Sequence, residues 1–295
     1  MRRTSMRIAA ALMGFAAYAA IGSSIAAPAN TPQGRVDAAY VAMGLGGEYR
    51  LDGGAQARDT MVTLTTRGSV QAWDPGESEA VGDLMKPDWG TSNFVTSWDR
   101  SKEMTRVEWT RPRAGGGMRT YTEILSADGG YVIGNDANGA LTSRAVQGAN
   151  NQMLHTMSGL RLRALLREQD RNNIVMLMHD SPERLSDYPD QTVGGKRYPA
   201  VQYRSDNGTF IVMFDPATKL PAVVRTRDFD QLMGDADFDA TLTDWRDVNG
   251  FKMPFHIVHT LNGVKVFDTN ITEYRTNAAM EIGRASCRER VCELV

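Results

Sequence analysis

Four histidines, His155, His179, His256 and His259, are the only imidazoles in the chain. His256 and His259 form an H-x-x-H pair inside Phe255–Leu261, a run whose composition suits a β-strand. Side chains on a strand alternate faces with period two, so these rings point apart and do not jointly hold a metal without a bulge. The H-E-x-x-H pattern of a metalloprotease helix is absent. Asp235, Asp237 and Asp239 are spaced by two, which would put three carboxylates on one strand face. Calcium would suit such oxygens, but neither a loop glycine nor a bidentate Glu stands at a familiar spacing. The better reading is a solvated strand face flanking Phe238. Gly115-Gly116-Gly117 resembles a phosphate cradle only superficially, because no helix follows it; it reads as a hairpin tip. No serine sits in a G-x-S-x-G setting. The Asn-x-Thr triplets at Asn207 and Asn270 fall in a hairpin and a strand. No catalytic residue, cofactor-binding residue or metal ligand is assigned, and no cofactor is expected in this chain.

The elements around these residues are mainly β. From Gly194 to Asn277 the chain reads as an antiparallel meander, punctuated by Gly194-Gly195, Asn207-Gly208, Asn249-Gly250 and Asn262-Gly263. Asn-Gly supplies the positive φ that a type I′ hairpin turn requires. Tyr198–Arg204 should therefore pair with Thr209–Phe214, and Phe255–Leu261 with Val264–Tyr274. Asp215-Pro216-Ala217-Thr218-Lys219 turns the chain into Ala222–Arg227. Upstream, the reading gives strands at Thr60–Arg67, Ser69–Trp73, Phe94–Asp99, Met104–Arg111, Met118–Leu125 and Gly130–Gly134. In Met104–Arg111 the alternation marks Val107 and Trp109 as the buried face. Asp74–Ser92 and Asn135–Asn151 read as loops, the first long enough to suggest a lid or binding loop. Val36–Leu45 predicts a short helix stopped at Gly46-Gly47. Leu154–Gln169 predicts one long helix, apolar over more than half its circumference. Ile174–Met178 is apolar throughout, as expected of a segment buried on both faces, under that helix. The fold class is an antiparallel curved sheet or half-barrel with one long packed helix and a short N-terminal helix.

Composition sets the boundaries. Arg2, Arg3 and Arg7, then an apolar run, then Ser24-Ile25-Ala26, have the layout of a secretory signal peptide over residues 1–26. Residues 27–35 read as a mobile leader and 36–280 as the antiparallel β domain. That stretch has no cysteine; both cysteines, Cys287 and Cys292, lie in 281–295. The string from Glu281 to Val291 is similar to the translation of a sequencing adapter, so 281–295 is treated as a non-native tail, with the native chain continuing past Met280. Without the three signal arginines the net charge moves from −2 to −5, which gives no electrostatic reason to bind nucleic acid. A periplasmic or secreted protein follows, with no stable membrane span once the signal is removed.

One resemblance adds to this. Gly194-Gly195-Lys196-Arg197-Tyr198-Pro199-Ala200-Val201, Phe210–Pro216, Leu220-Pro221, Thr226-Arg227-Asp228, Asp244–Gly250 and His155–Gly159 together resemble the N-terminal region of exported metallo-β-lactamase-fold hydrolases. The resemblance implies an accessory domain, partnered by a downstream zinc-binding hydrolase domain of the same chain. That family's H-x-H-x-D-H motif does not occur here, so its zinc ligands map to no residue of this sequence. By fold-level analogy the pattern of strand, Asp-Pro, Leu-Pro, then Asp-Trp-Arg and Asn-Gly also looks like the curved half-barrel of periplasmic lipoprotein carriers. The alternative function is thus a stand-alone binding module for an apolar or acyl ligand.

Overall fold

The computed structural model describes residues 30–46, 61–73, 90–112, 117–126, 129–134, 154–230 and 233–279. The segments read as signal peptide and C-terminal tail, residues 74–89 and the loop Asn135–Asn151 lie outside these.

Among the described residues, thirteen strands form one antiparallel sheet: β1 Thr63–Ala72, β2 Thr91–Asp99, β3 Met104–Pro112, β4 Met118–Ser126, β5 Gly129–Gly134, β6 Leu154–Thr156, β7 Leu185–Val193, β8 Lys196–Arg204, β9 Thr209–Phe214, β10 Pro221–Asp230, β11 Gly234–Val248, β12 Phe251–Leu261 and β13 Val264–Thr276. Their order is β6-β5-β4-β3-β2-β1-β13-β12-β11-β10-β9-β8-β7. Every neighbour in that order but one is also a neighbour in sequence. The exception is β1 with β13, which joins the two halves through Leu64 opposite Thr276 and Ala72 opposite Phe267. The two upstream runs expected as separate strands are the single strand β1, which passes through Gly68. A Cβ there would lie 2.6 Å from the Asn270 carbonyl oxygen and 2.9 Å from the Phe94 ring, beside the β1–β13 bulge. Only glycine lets the two halves close so tightly.

Both expected pairings occur, β8 with β9 and β12 with β13. Asn262-Gly263, Asn249-Gly250 and Gly194-Gly195 all have positive φ at both positions, as a type I′ turn demands. Asn207-Gly208 does not. There the Ser205 amide donates to the Gly208 carbonyl at 2.9 Å, and Asn207 Nδ2 donates to Asp170 Oδ2 at 3.0 Å. A helix holds this turn in place of a left-handed backbone.

Three described α-helices accompany the sheet: α1 Pro32–Ala42, α2 Gly159–Asn172 and α3 Ile174–Asp180. α1 starts inside the span read as a leader, because Thr31 caps it by accepting from the Gly34 amide at 3.1 Å and Pro32 suits the first turn. α2 starts later than the expected Leu154. The Met157 amide donates to the Gly130 carbonyl, which keeps Leu154–Thr156 at the sheet edge, and Ser158 then caps the helix. Ile174–Met178, expected to be buried on both faces, is buried at Ile174, Val175, Met176 and Met178, but as helix α3. A short all-apolar run does not reveal its own period.

α1 and α3 cover the concave face around Val201, Tyr203, Phe210, Val212, Val224, Phe251 and Met253, and this is the main core. The sheet's curvature follows from α2. Arg161 reaches Glu123 on β4 and Arg171 reaches Thr226 on β10. Those two arginines are about 15 Å apart along a helix. Their strands are seven steps apart in the sheet, about 34 Å of arc. A helix can bridge that arc only if the sheet curls around it.

Candidate functional site

The concave face beneath α2 concentrates the polar chemistry of the described residues. Cross-strand register places Thr66, Thr96 and Val107 in one row over β1, β2 and β3, and Gly68, Phe94, Trp109 and Tyr121 in the next. Leu242, Ile257 and Thr269 continue the surface across β11, β12 and β13. Thr66, Thr96, Val107 and Ile257 are half-buried rather than sealed, while Leu242 packs against the main core. Of α2 itself only Arg171 is buried, and no α2 residue joins an apolar core cluster. Leu162, Leu165 and Leu166 are half-buried. Leu162 lies on Gly130 of β5, where a Cβ would stand 2.7 Å from its Cδ1, while Leu165 and Leu166 stand over the concave face without joining a core cluster.

Charges hold it there. Near its start, Arg161 Nε and Nη2 donate to Glu123 Oε1 at 2.9 and 2.6 Å. Trp109 Nε1 donates to Glu123 Oε2 at 2.7 Å, so both carboxylate oxygens are occupied. Toward its end, Arg167 pairs with Asp228, and Arg171 pairs with Glu168 while donating from Nη2 to Thr226 Oγ1 at 2.8 Å. The Arg171 guanidinium also lies over the Phe238 ring at 4.7 Å.

The histidines separate as the period-two argument requires. His256 points to the outer face, where Nε2 meets Asp268 Oδ1 at 2.7 Å and Nδ1 meets Thr243 Oγ1 at 3.1 Å. His259 is buried on the concave side between Phe238, 5.2 Å away, and Phe267, 6.0 Å away. Burial pulls its pKa below the ordinary value, and the Arg171 charge acts in the same sense against the opposing Glu168. Its Nδ1 has no hydrogen-bond partner among the described residues. His179 stacks on Tyr40 with centroids 3.8 Å apart. The His155 side chain lies outside what is described.

The three aspartates do share strand β11, but two are engaged. Arg225 forks onto Asp239 at 2.6 and 2.8 Å, and Arg227 reaches Asp237 at 3.1 and 2.8 Å, each pair directly opposite in register. Asp239 is buried, so this end of the face is a charge ladder rather than a solvated surface. Among the described residues no group of three or more His, Cys, Asp or Glu side chains could hold a metal ion.

Sequence reasoning singled out Trp109 but missed its neighbours Arg111, Arg119, Tyr121 and Glu123. The signal was available: Val107-x-Trp109-x-Arg111 and Arg119-x-Tyr121-x-Glu123 run at period two on either side of Gly115-Gly116-Gly117 in the sequence. Register then puts Arg111 opposite Arg119, Trp109 opposite Tyr121 and Val107 opposite Glu123.

No protein-family profile and no curated protein matches the chain. Among solved structures, a LolA superfamily protein from Nitrosomonas europaea is similar with a TM-score of 0.43 and 9% identity, over 85% of this chain and 95% of that one. PNGF-II, in P21 and C2 crystals, is similar with a TM-score of 0.24 in both, at 9% and 8% identity. Those matches span 75% of this chain and 29% and 28% of PNGF-II. The fold assignment rests on the strand order and register above, and these scores carry no argument about function.

Proposed function

We propose that the chain is a binding module that holds the acyl or other apolar portion of a small ligand against the concave face of its sheet, beneath α2. The observation that supports this is the manner in which α2 is held. Leu165 and Leu166 of α2 and Thr96, Val107 and Ile257 on the concave face are all half-buried, while ion pairs at Glu123 and Asp228 tie the helix across them. A helix that completed the core would bury those leucines for about 1.5–3 kcal/mol each. Held at a distance, the two apolar surfaces are suited to receive a flexible hydrocarbon between them. Export to the periplasm, as read from residues 1–26, fits such a carrier, and no described helix is long and apolar enough to cross a membrane.

Uptake of the neutral fluorophore N-phenyl-1-naphthylamine tests the reading. Micromolar binding is expected, abolished by Thr96→Trp, which fills the row. No binding, or binding indifferent to Thr96→Trp, would overturn it. The hydrolase-accessory reading rests on the sequence resemblance alone; a genomic read through the region after Met280 tests it by the presence of an H-x-H-x-D-H segment.

A further inference from the structure

At one end of the same trough stands a pair of like charges with no described group to balance them. Arg111 and Arg119 lie directly opposite each other on β3 and β4. Like charges at such a position repel, and strands ordinarily avoid them. Neither arginine has an ion-pair or hydrogen-bond partner among the described residues, and the Nε of each is buried without one. The Arg111 guanidinium lies 4.0 Å over the Trp109 ring and 5.6 Å from Tyr121, and Arg161 lies 5.5 Å from Tyr121 on the same side. Among the described residues Glu123 is the one carboxylate facing this group, and Trp109 and Arg161 already take both its oxygens. Arg111 and Arg119 thus face a carboxylate whose two oxygens other groups already occupy. Burial lowers the Arg111 pKa, and the Arg119 and Arg161 charges act in the same sense against the opposing Tyr121 and Glu123.

We infer that Arg111 and Arg119 form the headgroup site for an oxyanion, a carboxylate or phosphate, carried on the apolar ligand proposed above. Two facing arginines whose buried Nε groups lack a partner among the described residues are unfavourable, and a bridging anion would offset both that cost and their mutual repulsion. The planar guanidinium suits carboxylate and phosphate oxygens in forked geometry. The placement suits an amphiphile as well. The arginines are one row further along the strands than Phe94, Trp109 and Tyr121, on the same face, a spacing of about 7 Å. A headgroup at Arg111 and Arg119 would send its chain past Trp109, whose ring Arg111 covers at 4.0 Å, and over Phe94 toward Thr96. The ligand is then an anionic amphiphile rather than a neutral one.

This inference rests on the trough being a binding site, and the test separates the two. The intrinsic fluorescence of cis-parinaric acid and of its methyl ester reports binding of the same chain with and without the charge. The acid is expected to bind at least tenfold tighter than the ester, with the preference shrinking as salt is raised. In Arg119→Gln and Arg111→Gln the acid should fall to the level of the ester, while ester affinity stays within twofold. Displacement by oleate against oleoyl lysophosphatidate then shows whether carboxylate or phosphate is preferred. Equal binding of acid and ester by the unaltered protein, a comparison that needs no variant, would overturn the headgroup site and leave the trough standing. Binding of neither would overturn the trough, and the headgroup site with it.

Discussion

Arg161 of α2 and Glu123 of β4 meet through two guanidinium nitrogens on a single carboxylate oxygen, at 2.9 and 2.6 Å. The Glu123 side chain is only 7% exposed, so this contact is largely withdrawn from water. Glu123→Gln removes the charge, keeps the shape, and takes the carboxylate from Arg161 and from the neighbourhood of Arg111 and Arg119. A loss of about 1–3 kcal/mol in urea unfolding is expected, together with faster amide exchange across residues 159–172. Unchanged exchange there would show that α2 is held by other contacts.

His259 gives the fold a pH dependence with a definite sign. Its folded pKa lies below the unfolded value of about 6.5, because the buried ring resists protonation. The stability tied to the neutral ring is complete above that unfolded value. It is lost as pH falls from there toward the depressed folded pKa, since only the unfolded chain takes up the proton. Chemical denaturation at pH 7.5 and 5.5 should show a drop in stability that His259→Phe reduces. An equal drop in the variant would assign the dependence to other groups.

Two glycines should respond to substitution for different reasons. Gly263 has φ +82° and open space where a Cβ would stand, so Gly263→Val costs backbone strain alone, about 1–3 kcal/mol. Gly68 has no such φ, yet Gly68→Ala drives a methyl into the Asn270 carbonyl and the Phe94 ring. It should weaken the β1–β13 seam and also perturb ligand uptake, which Gly263→Val should spare. Thermal melts paired with fluorophore binding distinguish the two.

Arg225 and Asp239 should show measurable coupling. Their side chains are 22% and 10% exposed, and the fork is bidentate. A double-mutant cycle with Arg225→Met and Asp239→Asn should give about 1 kcal/mol. Because Asp237 and Asp239 are already paired, millimolar calcium should leave the melting temperature unchanged; a calcium-dependent rise would favour the metal reading of Asp235, Asp237 and Asp239.

Much of the sheet was legible in the sequence because hairpins are local. Asn262-Gly263 and Asn249-Gly250 carry their required φ in their own chemistry, and the flanking runs pair with whatever those turns bring alongside. The opposite facing of His256 and His259 was legible for the same reason: alternation is a property of the strand itself. Asn207-Gly208 has the same dipeptide but a different turn, because Asp170, 37 residues away, holds its side chain. Ile174–Met178 carries no period of its own, and its packing with α1 against the sheet decides for a helix.

The site lay beyond the sequence for a related reason. Arg161 and Glu123 are 38 residues apart, and Arg171 and Thr226 are 55 apart. Nothing in either segment names the other as its partner. Local chemistry determined the strands, the turns and which side chains alternate onto one face. Only the curl of the sheet around α2 decided which charges on that face meet, because ion pairing depends on distance in space, and the chain sets distance only between near neighbours.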